Sequence, residues 1–304
     1  MRTVGTLPLV GGGGEPVDLR RTLASHGVAT LAPQRVDEER WVLETALDTA
    51  AGVRTVSVAA GSPDALVVRA DRGALLGREK AALLATVRHM LALDEDLRAF
   101  YEVAAADPAL AWVTSGAGRM LRSPTVFEDV VKTICTTNCA WSATVRMTDA
   151  LVTELGAAGA AGRRAFPSSE AMADAGPDFY RDVARAGYRG AYLLRLARDV
   201  ADGALDLEAL RDPALSDADV EQRLLALPGV GPYASAHVML TSLGRYGLLI
   251  FDSWTRPTYA RLHGRVTTDK AIARRFRRYG RYAGLAFWLY LTKSWVEDAI
   301  VEKS

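Results

Sequence analysis

The spacing of apolar residues divides the chain into two parts of different character. Near the start, turn-forming residues separate three short β-prone runs, RWVLETAL, VRTVSVAAG and ALVVRAD. From Arg78 to Leu93 the apolar residues recur at helical spacing instead. This part is predicted to form a small antiparallel sheet with a covering helix.

The second part, beyond the turn-rich segment SGAGRMLRSPT, is almost wholly helical in pattern. One face of its first helix, predicted to continue past Trp141 toward Leu155, is marked by Phe127, Val130, Val131 and Ile134. Further helices are predicted over GYRGAYLLRLARDVADG to Gly203, from Asp217 to Leu227 with Ser216 or Asp217 as cap, and from about Tyr282 to Val301. The predicted fold class is α+β, with a sheet domain over residues 1–115 and a mostly helical region over residues 116–304.

Composition is that of a globular protein. The chain has 304 residues, enough for two or three modest domains, and 49% of them are hydrophobic. No apolar run is long enough to cross a bilayer, and the N-terminus lacks a basic segment followed by a signal-like apolar stretch. We therefore expect a cytoplasmic protein with no membrane partner.

Cysteine content argues against a thiol-based site. The two cysteines, Cys135 and Cys139, lie four residues apart within a helical pattern. That spacing gives no disulfide framework and no zinc-ligand pattern, and two thiolates are too few for an iron–sulfur cluster. We expect buried, inert thiols, with no metal and no cofactor.

Charge is distributed unevenly along the chain. The formal net charge of +1 suggests little overall attraction to nucleic acid. Between Ser253 and Arg281, however, one acid, Asp269, is outnumbered by nine basic residues: Arg256, Arg261, Arg265, Lys270, Arg274, Arg275, Arg277, Arg278 and Arg281. This run is either a solvated helix face or a surface that binds phosphates.

A glycine-containing turn lies between two predicted helices in LPGVGPYASAHVML, residues 227–240. A helix ending at Leu227, the turn PGVG and a second helix from about Pro232 predict a helix-hairpin-helix motif over about residues 217–243. Gly229 and Gly231 permit positive φ and the close approach of another backbone. Their amides, with the N-terminus of the second helix, would suit a phosphate oxygen, although a simple tight turn is the alternative.

An aspartate follows this turn at a distinctive place. Nineteen residues after Tyr233, the segment LLIFDSWTRP delivers Asp252 from an apolar run to the start of a basic helix. A partly desolvated carboxylate is costly unless it has a task or a hydrogen-bonding role. Asp252 is therefore either a functional carboxylate or a helix N-cap.

The hairpin and the following aspartate resemble the helix-hairpin-helix DNA glycosylase superfamily. Other segments resemble its 8-oxoguanine and alkylpurine branches over roughly Phe127 to Trp295: FEDVVKTICTTNCAWSATVRMTDALVTELG, AFPSSEAMADAG, AGYRGAYLLRLA and YGRYAGLAFWLYLTKSW. The N-terminal part matches only in architecture. The resemblance implies a sheet domain ahead of two helical subdomains, and a monomer that binds double-stranded DNA containing a damaged base, associated with the nucleoid if the protein is bacterial.

The resemblance also assigns a reaction. It implies that Asp252 is the catalytic carboxylate, which stabilises positive charge on the deoxyribose and helps to orient water. In bifunctional members a lysine directly follows the hairpin and forms a Schiff base with the sugar, whereas this chain has Tyr233 there. We therefore expect a monofunctional glycosylase that releases the base and leaves an abasic site.

Further positions follow from the same resemblance. The DNA backbone would be bound by Gly229, Val230, Gly231, Tyr233 and Arg256. Asn138 would fill the space left by the everted base, with Tyr188 and Arg189 contacting the opposite strand. Equally, Asn138 could cap a helix, and Tyr188 and Arg189 could brace a turn.

The base pocket is predicted to be lined by His237, Tyr290 and Trp288, with Trp141 and Trp254 as weaker candidates. The alternative is that these are ordinary core residues. Aromatic walls would suit an electron-poor alkylated purine, of the 3-methyladenine type. The ICTTN and GYRG segments keep an oxidised or otherwise modified base as a second hypothesis. A non-catalytic DNA-binding protein is the third.

Overall fold

The N-terminal part of the chain forms a sheet. In the computed structural model, which describes residues 1–71, 73 and 75–296, five strands are found among the described residues: β1 (Arg2–Pro8), β2 (Arg35–Asp37), β3 (Val42–Leu47), β4 (Arg54–Ser62) and β5 (Ala65–Ala70). They lie in the order β1-β5-β4-β3-β2, and all neighbours are antiparallel. The three predicted strands are the central β3, β4 and β5.

The two edge strands were not predicted. β2 has only three residues. β1 contains Gly5, at which the pairing with β5 shifts register. A Cβ on Gly5 would lie 3.1 Å from Leu84 of the covering helix, so the absence of a side chain lets that helix pack closely.

Helices account for most of the remaining chain. They are α1 (Leu19–Leu23), α2 (Gly77–Met90), α3 (Arg98–Ala105), α4 (Val126–Thr136), α5 (Trp141–Ala150), α6 (Ser169–Asp174), α7 (Gly176–Asp178), α8 (Arg189–Ala201), α9 (Asp217–Leu225), α10 (Pro232–Thr241), α11 (Thr255–His263), α12 (Asp269–Phe276) and α13 (Ala283–Thr292). Ser216 caps α9 by accepting a hydrogen bond from the Asp219 amide. The α+β fold class is confirmed.

Two predicted helices differ in the structure. The helix expected to run from Phe127 toward Leu155 is interrupted between α4 and α5, where Asn138 has a φ of +47°. Asparagine tolerates this left-handed conformation better than most residues. Arg189 donates hydrogen bonds to the Thr137 carbonyl and so occupies an acceptor at the interruption. The last helix, α13, ends at Thr292, and its predicted end at Val301 lies outside the described residues.

Three apolar cores organise the molecule. One lies between the sheet and α1 and α2. A second joins α4, α5, α8 and α9, and a third joins α3, α12 and α13. Helix α10 belongs to both helical cores, with Val238 and Met239 in one and Ala236 and Leu240 in the other. The hairpin is therefore held between the two helical cores.

The predicted domain boundary at residue 115 stays a prediction. Helix α3, which precedes it, packs in the core of α12 and α13 rather than in the core of the sheet. None of the helices within the described ranges combines the length and apolar content that a bilayer crossing needs.

The two thiols are free and differ in exposure. Cys135 is buried, and burial raises the pKa of its thiol to about 12. Cys139 is half-buried, and its Sγ donates to the Cys135 carbonyl at 3.2 Å. Over the described residues, no three His, Cys, Asp or Glu side chains gather in a way that could hold a metal ion.

A buried ion pair joins the N-terminal loop to the helical part. Glu15 pairs with Arg119, and the two side chains are 4% and 0% exposed. Glu15 also accepts from the amides of Leu97 at 2.8 Å and Gly13 at 2.9 Å. A Cβ on Gly11 would collide with both members of the pair. Gly11, the first of four consecutive glycines, is thus required by close packing.

We predict that Glu15→Gln destabilises the fold by about 3–5 kcal/mol, because it leaves Arg119 buried without a counter-charge. Burial alone would raise the pKa of Glu15, but hydrogen bonds from the Leu97 amide and Arg119 lower it on balance. The stabilisation by the Glu15 carboxylate is therefore fully present at pH values above the ordinary glutamate pKa. It is lost as the pH falls through the lowered pKa of Glu15. Urea unfolding at several pH values measures both effects.

A half-exposed ion pair provides the control for this measurement. Glu44 pairs with Arg163 at 2.9 Å, and Glu44→Gln should change the free energy of unfolding by less than about 1 kcal/mol. Equal losses in the two variants would contradict the role given to the Glu15–Arg119 pair.

Candidate functional site

A cleft of about 940 Å³ lies where the hairpin, the end of α4 and the start of α11 meet. Eight of the residues predicted from sequence line it: Asn138, Tyr188, Gly229, Val230, Gly231, Tyr233, Asp252 and Arg256. Its other lining residues are Thr136, Thr137, Cys139, Tyr192, Pro232, Ala234, Phe251 and Ser253. We call this the hairpin cleft.

The hairpin turn presents an uncapped helix end to the cleft. Gly229 has a φ of +81°, whereas Gly231 has a φ of −103° and a ψ of −173°, an extended backbone that does not require glycine. Gly231 is the N-cap of α10, and no side chain caps this helix. The amides of the first turn, including those of Tyr233 and Ala234, have no partner within the helix. The partial positive charge of the helix N-terminus therefore faces the cleft.

Close packing explains the other glycine. A Cβ on Gly229 would lie 2.7 Å from Cδ2 of Tyr192, so the left-handed turn and the approach of the Tyr192 ring both require glycine here. By contrast, a Cβ on Gly231 would meet nothing within 4 Å. Space over Gly231 is thus open toward the cleft.

Asp252 uses its two carboxylate oxygens differently. Oδ1 accepts hydrogen bonds from the amides of Trp254 at 2.9 Å and Thr255 at 2.6 Å. The Asp252 amide in turn donates to Thr255 Oγ1 at 2.9 Å. No donor among the described residues bonds to Oδ2. Asp252 therefore caps the start of α11 and still lines the cleft, so the two interpretations of its sequence position are compatible.

Tyr233 provides a neutral hydroxyl in the same cleft. Its Oη lies 3.2 Å from Thr136 Oγ1. Burial raises the pKa of Tyr233, and the nearby negative charge of Asp252 acts in the same direction. None of the described residues that line the hairpin cleft is a lysine.

Aromatic side chains connect the α4–α5 interruption to the hairpin. Asn138 Nδ2 donates to Tyr188 Oη at 3.3 Å. The Tyr188 ring packs edge-on against Tyr192 at 5.8 Å, and Tyr192 covers Gly229. Tyr192 was missed in the sequence, although its position four residues after Tyr188 puts both on one helix face.

Arg189 does not line the cleft. It is buried, and its Nε donates to the Thr137 carbonyl at 2.9 Å. Its guanidinium lies 4.6 Å from the centre of the Tyr188 ring. These contacts fit the alternative in which Arg189 braces a turn.

His237 lies beneath Tyr233 and is buried. Its ring is 5.9 Å from that of Tyr233 and 5.7 Å from that of His26. Burial, and to a lesser extent repulsion from His26, lowers the pKa of His237 to about 3. The imidazole is therefore neutral at physiological pH and is separated from the hairpin cleft by Tyr233.

The aromatic residues predicted to line the base pocket lie in two separate places. Trp254 follows Asp252, is 37% exposed and packs against Trp288 at 5.6 Å. Trp288 is buried and donates from Nε1 to the Ser25 carbonyl at 2.8 Å. Tyr290 instead packs against Tyr259 and under Arg275. None of these three side chains, nor Trp141, lines the hairpin cleft.

A segment of the N-terminal part reaches these aromatic residues. The Ser25 carbonyl holds Trp288, the His26 ring contacts His237, and Gly27 lies beside the ring of Trp141, which is 48% exposed. The segment 25–27 could not be predicted, because no local sequence pattern links it to helices more than 100 residues away.

Only one member of the basic run lines the hairpin cleft. Arg256 is half-exposed there, and its guanidinium pairs with Asp269 at 2.8 Å. The Arg256 guanidinium makes no ion pair or hydrogen bond with the Asp252 carboxylate among the described contacts, so that carboxylate is not held in an ion pair.

Comparison with known proteins identifies the class of fold. No protein-family model matches the chain. The Bacillus subtilis protein named "Putative DNA-3-methyladenine glycosylase YfjP" is 25% identical over 130 residues, a match that covers 40% of this chain and 44% of that protein. The chain thus spans less than half of that relative's length.

Solved structures are similar over nearly the whole chain. The 3-methyladenine DNA glycosylase of Archaeoglobus fulgidus gives a TM-score of 0.73 at 20% identity, over 95% of this chain and 97% of that one. The Clostridium acetobutylicum 8-oxoguanine glycosylase/lyase, in complex with double-stranded DNA, gives 0.62 at 19% identity, over 83% and 88%. The chain therefore has the helix-hairpin-helix DNA glycosylase fold. The structures that share this fold include 3-methyladenine and 8-oxoguanine glycosylases.

The two hairpin glycines should respond differently to alanine. Gly229→Ala should cost about 1–2 kcal/mol from the left-handed backbone alone, with a further loss from the clash with Tyr192. Gly231→Ala should alter stability by no more than about 0.5 kcal/mol, because its backbone is extended and the space is open. Thermal unfolding of both variants measures the difference. Similar stabilities of the two variants would contradict the left-handed backbone and close packing at Gly229.

Proposed function

We propose that this protein is a DNA glycosylase of base excision repair that everts a damaged purine and hydrolyses its N-glycosidic bond. The observation that carries the proposal is the shared position of two groups in the hairpin cleft. The Asp252 carboxylate and the uncapped N-terminus of α10 line the same cavity. We expect the protein to act as a monomer on double-stranded DNA.

The turn would bind the DNA backbone. A phosphate oxygen fits a helix N-terminus, because unpaired amides point at it and the helix dipole favours negative charge. The open space over Gly231 allows a phosphate to approach the amides of the first turn of α10. Val230, Tyr233 and Arg256 line the same cleft, where the Arg256 guanidinium, paired with Asp269, could also contact a phosphate.

Asp252 would act on the sugar. As the glycosidic bond breaks, positive charge develops on the deoxyribose, and a fixed carboxylate nearby stabilises it. The amides of Trp254 and Thr255 hold Oδ1, which fixes the carboxylate orientation before substrate binds. Oδ2 is then available to the sugar and to the attacking water.

Eversion requires a group that fills the vacated space. Asn138 is exposed at the α4–α5 interruption, borders the cleft and is held by Tyr188. We assign it the gap-filling role, with Tyr188 facing the opposite strand and Arg189 supporting both from within. The everted base would lie near Trp254, Trp288 and Trp141, with neutral His237 behind Tyr233.

The preferred substrate in this proposal is an alkylated purine of the 3-methyladenine type. A cationic alkylated base gains from stacking on aromatic faces and needs few specific hydrogen bonds, since its own glycosidic bond is weakened. The Archaeoglobus and Bacillus proteins are both named as 3-methyladenine glycosylases, which supports the same substrate class. An oxidised purine is the second candidate, favoured by the Asn138–Tyr188 pair and by the Clostridium neighbour.

We further propose that the enzyme is monofunctional. A lyase of this superfamily would use a lysine directly after the hairpin, and that position is Tyr233. Its phenol cannot form a Schiff base. Lys132, on α4, is fully buried and paired with Glu128 at 2.6 Å, so it cannot substitute.

We predict that Asp252→Asn slows base release at least about 100-fold, because it removes the charge that stabilises the transition state. Affinity for damaged duplex should be retained, since the asparagine oxygen can still accept from the two α11 amides. Single-turnover release from duplexes carrying one defined lesion each, alkylated or oxidised, measures the rate. A titration of the same duplexes measures the affinity.

A second carboxylate serves as the control. Asp219 lies at the start of α9, where Ser216 donates to it, and it does not line the hairpin cleft. Asp219→Asn should therefore keep the wild-type rate. A fast Asp252→Asn variant would remove the catalytic assignment. A wild-type protein that releases no base from any damaged duplex would favour the non-catalytic DNA-binding hypothesis.

The monofunctional mechanism predicts an intact strand after base release. Product duplexes should break only after alkali is added, and borohydride should trap no covalent protein–DNA complex. Denaturing electrophoresis with and without alkali tests this. A trapped complex, or a break that forms at the rate of base release without alkali, would overturn the assignment.

A further inference from the structure

A second cleft, of about 640 Å³, lies beside the hairpin cleft. Small residues line much of it: Gly247, Ala271, Ala273, Gly280 and Ala283. Its basic lining residues, Lys270, Arg274 and Arg277, are all exposed. Thr268 and Leu249 complete the lining. We call this the basic groove.

The basic residues between Ser253 and Arg281 differ in whether they have partners within the protein. Several of its arginines already have partners within the protein. Arg256 pairs with Asp269 and Arg278 with Asp107, while Arg275 lies 4.6 Å from the centre of the Tyr290 ring. The contacts of Arg256 and Arg275 join α11 to α12 and α12 to α13, and that of Arg278 joins the turn after α12 to the residues that follow α3.

The three cations of the basic groove differ from these. No ion pair or hydrogen bond joins Lys270, Arg274 or Arg277 to another side chain among the described residues. Like charges on one short helix and the turn after it repel each other, which costs free energy unless an anion neutralises them. Uncompensated charge on three neighbouring side chains therefore favours an extended polyanion over a single small ion.

Residues that line the basic groove lie close to residues that line the hairpin cleft. Phe251 lines the first cleft and Leu249, two residues earlier, lines the second. On the other side, Arg256 of the hairpin cleft pairs with Asp269, and the residues on either side of Asp269 line the basic groove. One ligand could therefore follow both cavities past the Arg256–Asp269 pair.

We propose that the basic groove binds the phosphodiester backbone of the same duplex on one side of the lesion. This inference rests on the proposed function and extends it, since the hairpin alone would contact only phosphates next to the everted nucleotide. Small side chains let a bulky sugar–phosphate chain come close, and Lys270, Arg274 and Arg277 supply the phosphate contacts. The bound DNA therefore extends asymmetrically about the lesion.

The first test is the salt dependence of binding to an undamaged duplex. For K270Q/R274Q/R277Q, the slope of log affinity against log salt should be shallower than wild type by about 2 to 3, as expected for three lost phosphate contacts. The matched control is R69Q/R78Q/K80Q, three exposed cations on β5 and α2, which should keep the wild-type slope. A wild-type slope in the groove variant, or an equal loss in the control, would overturn the proposal.

The second test locates the groove on the DNA. Duplexes with a stable abasic-site analogue are shortened on either the 5′ or the 3′ side. Wild-type affinity should fall for only one of the two, and the groove variant should not distinguish them. Equal effects on both sides in the wild type would contradict the inference. Because the salt test uses undamaged DNA, it remains informative even if the protein releases no base and the proposed function fails.

Discussion

Burial of α10 between two apolar cores is the constraint on which the site depends. Every residue of this helix from Ala234 to Thr241 is buried, as expected for a helix that contacts protein on every face. Val238 and Met239 pack in one core and Ala236 and Leu240 in the other. Each fully buried large apolar side chain contributes about 1.5–3 kcal/mol. The position of the helix N-terminus is therefore fixed by packing, so its amides need no side-chain cap to stay in place.

Asp252 can combine its capping role with the proposed chemical role because a carboxylate has two oxygens. One oxygen satisfies the first amides of α11, which is why the sequence fits an N-cap so well. The other takes part in no ion pair among the described residues, and Asp252 lines the cleft. Arg256, the nearest member of the basic run, is held by Asp269 instead. The negative charge at Asp252 is thus neither neutralised nor free to rotate.

Local patterns predicted much of this molecule, and long-range contacts account for what was missed. The hairpin, Asp252 and the central strands have signals within a few residues, and the structure places the first two in one cleft. Helical periodicity in YAGLAFWLYL could not tell which aromatic ring faces the site, and Tyr290 packs with Tyr259 instead. The break after α4 involves Arg189, which is 52 residues from Thr137. The segment 25–27 reaches Trp288 across 263 residues.

The chain of contacts from Asn138 through Tyr188 and Tyr192 to Gly229 has a consequence for how a duplex would be accommodated. Arg189 anchors one end of this chain and the buried α10 the other, so the positions of Asn138 and of the α10 N-terminus are coupled. A rigid receptor of this kind imposes its shape on its partner. Under the proposed function, the strain of eversion would therefore fall on the nucleic acid, and sites that are already unpaired or easily kinked would be the least costly to open.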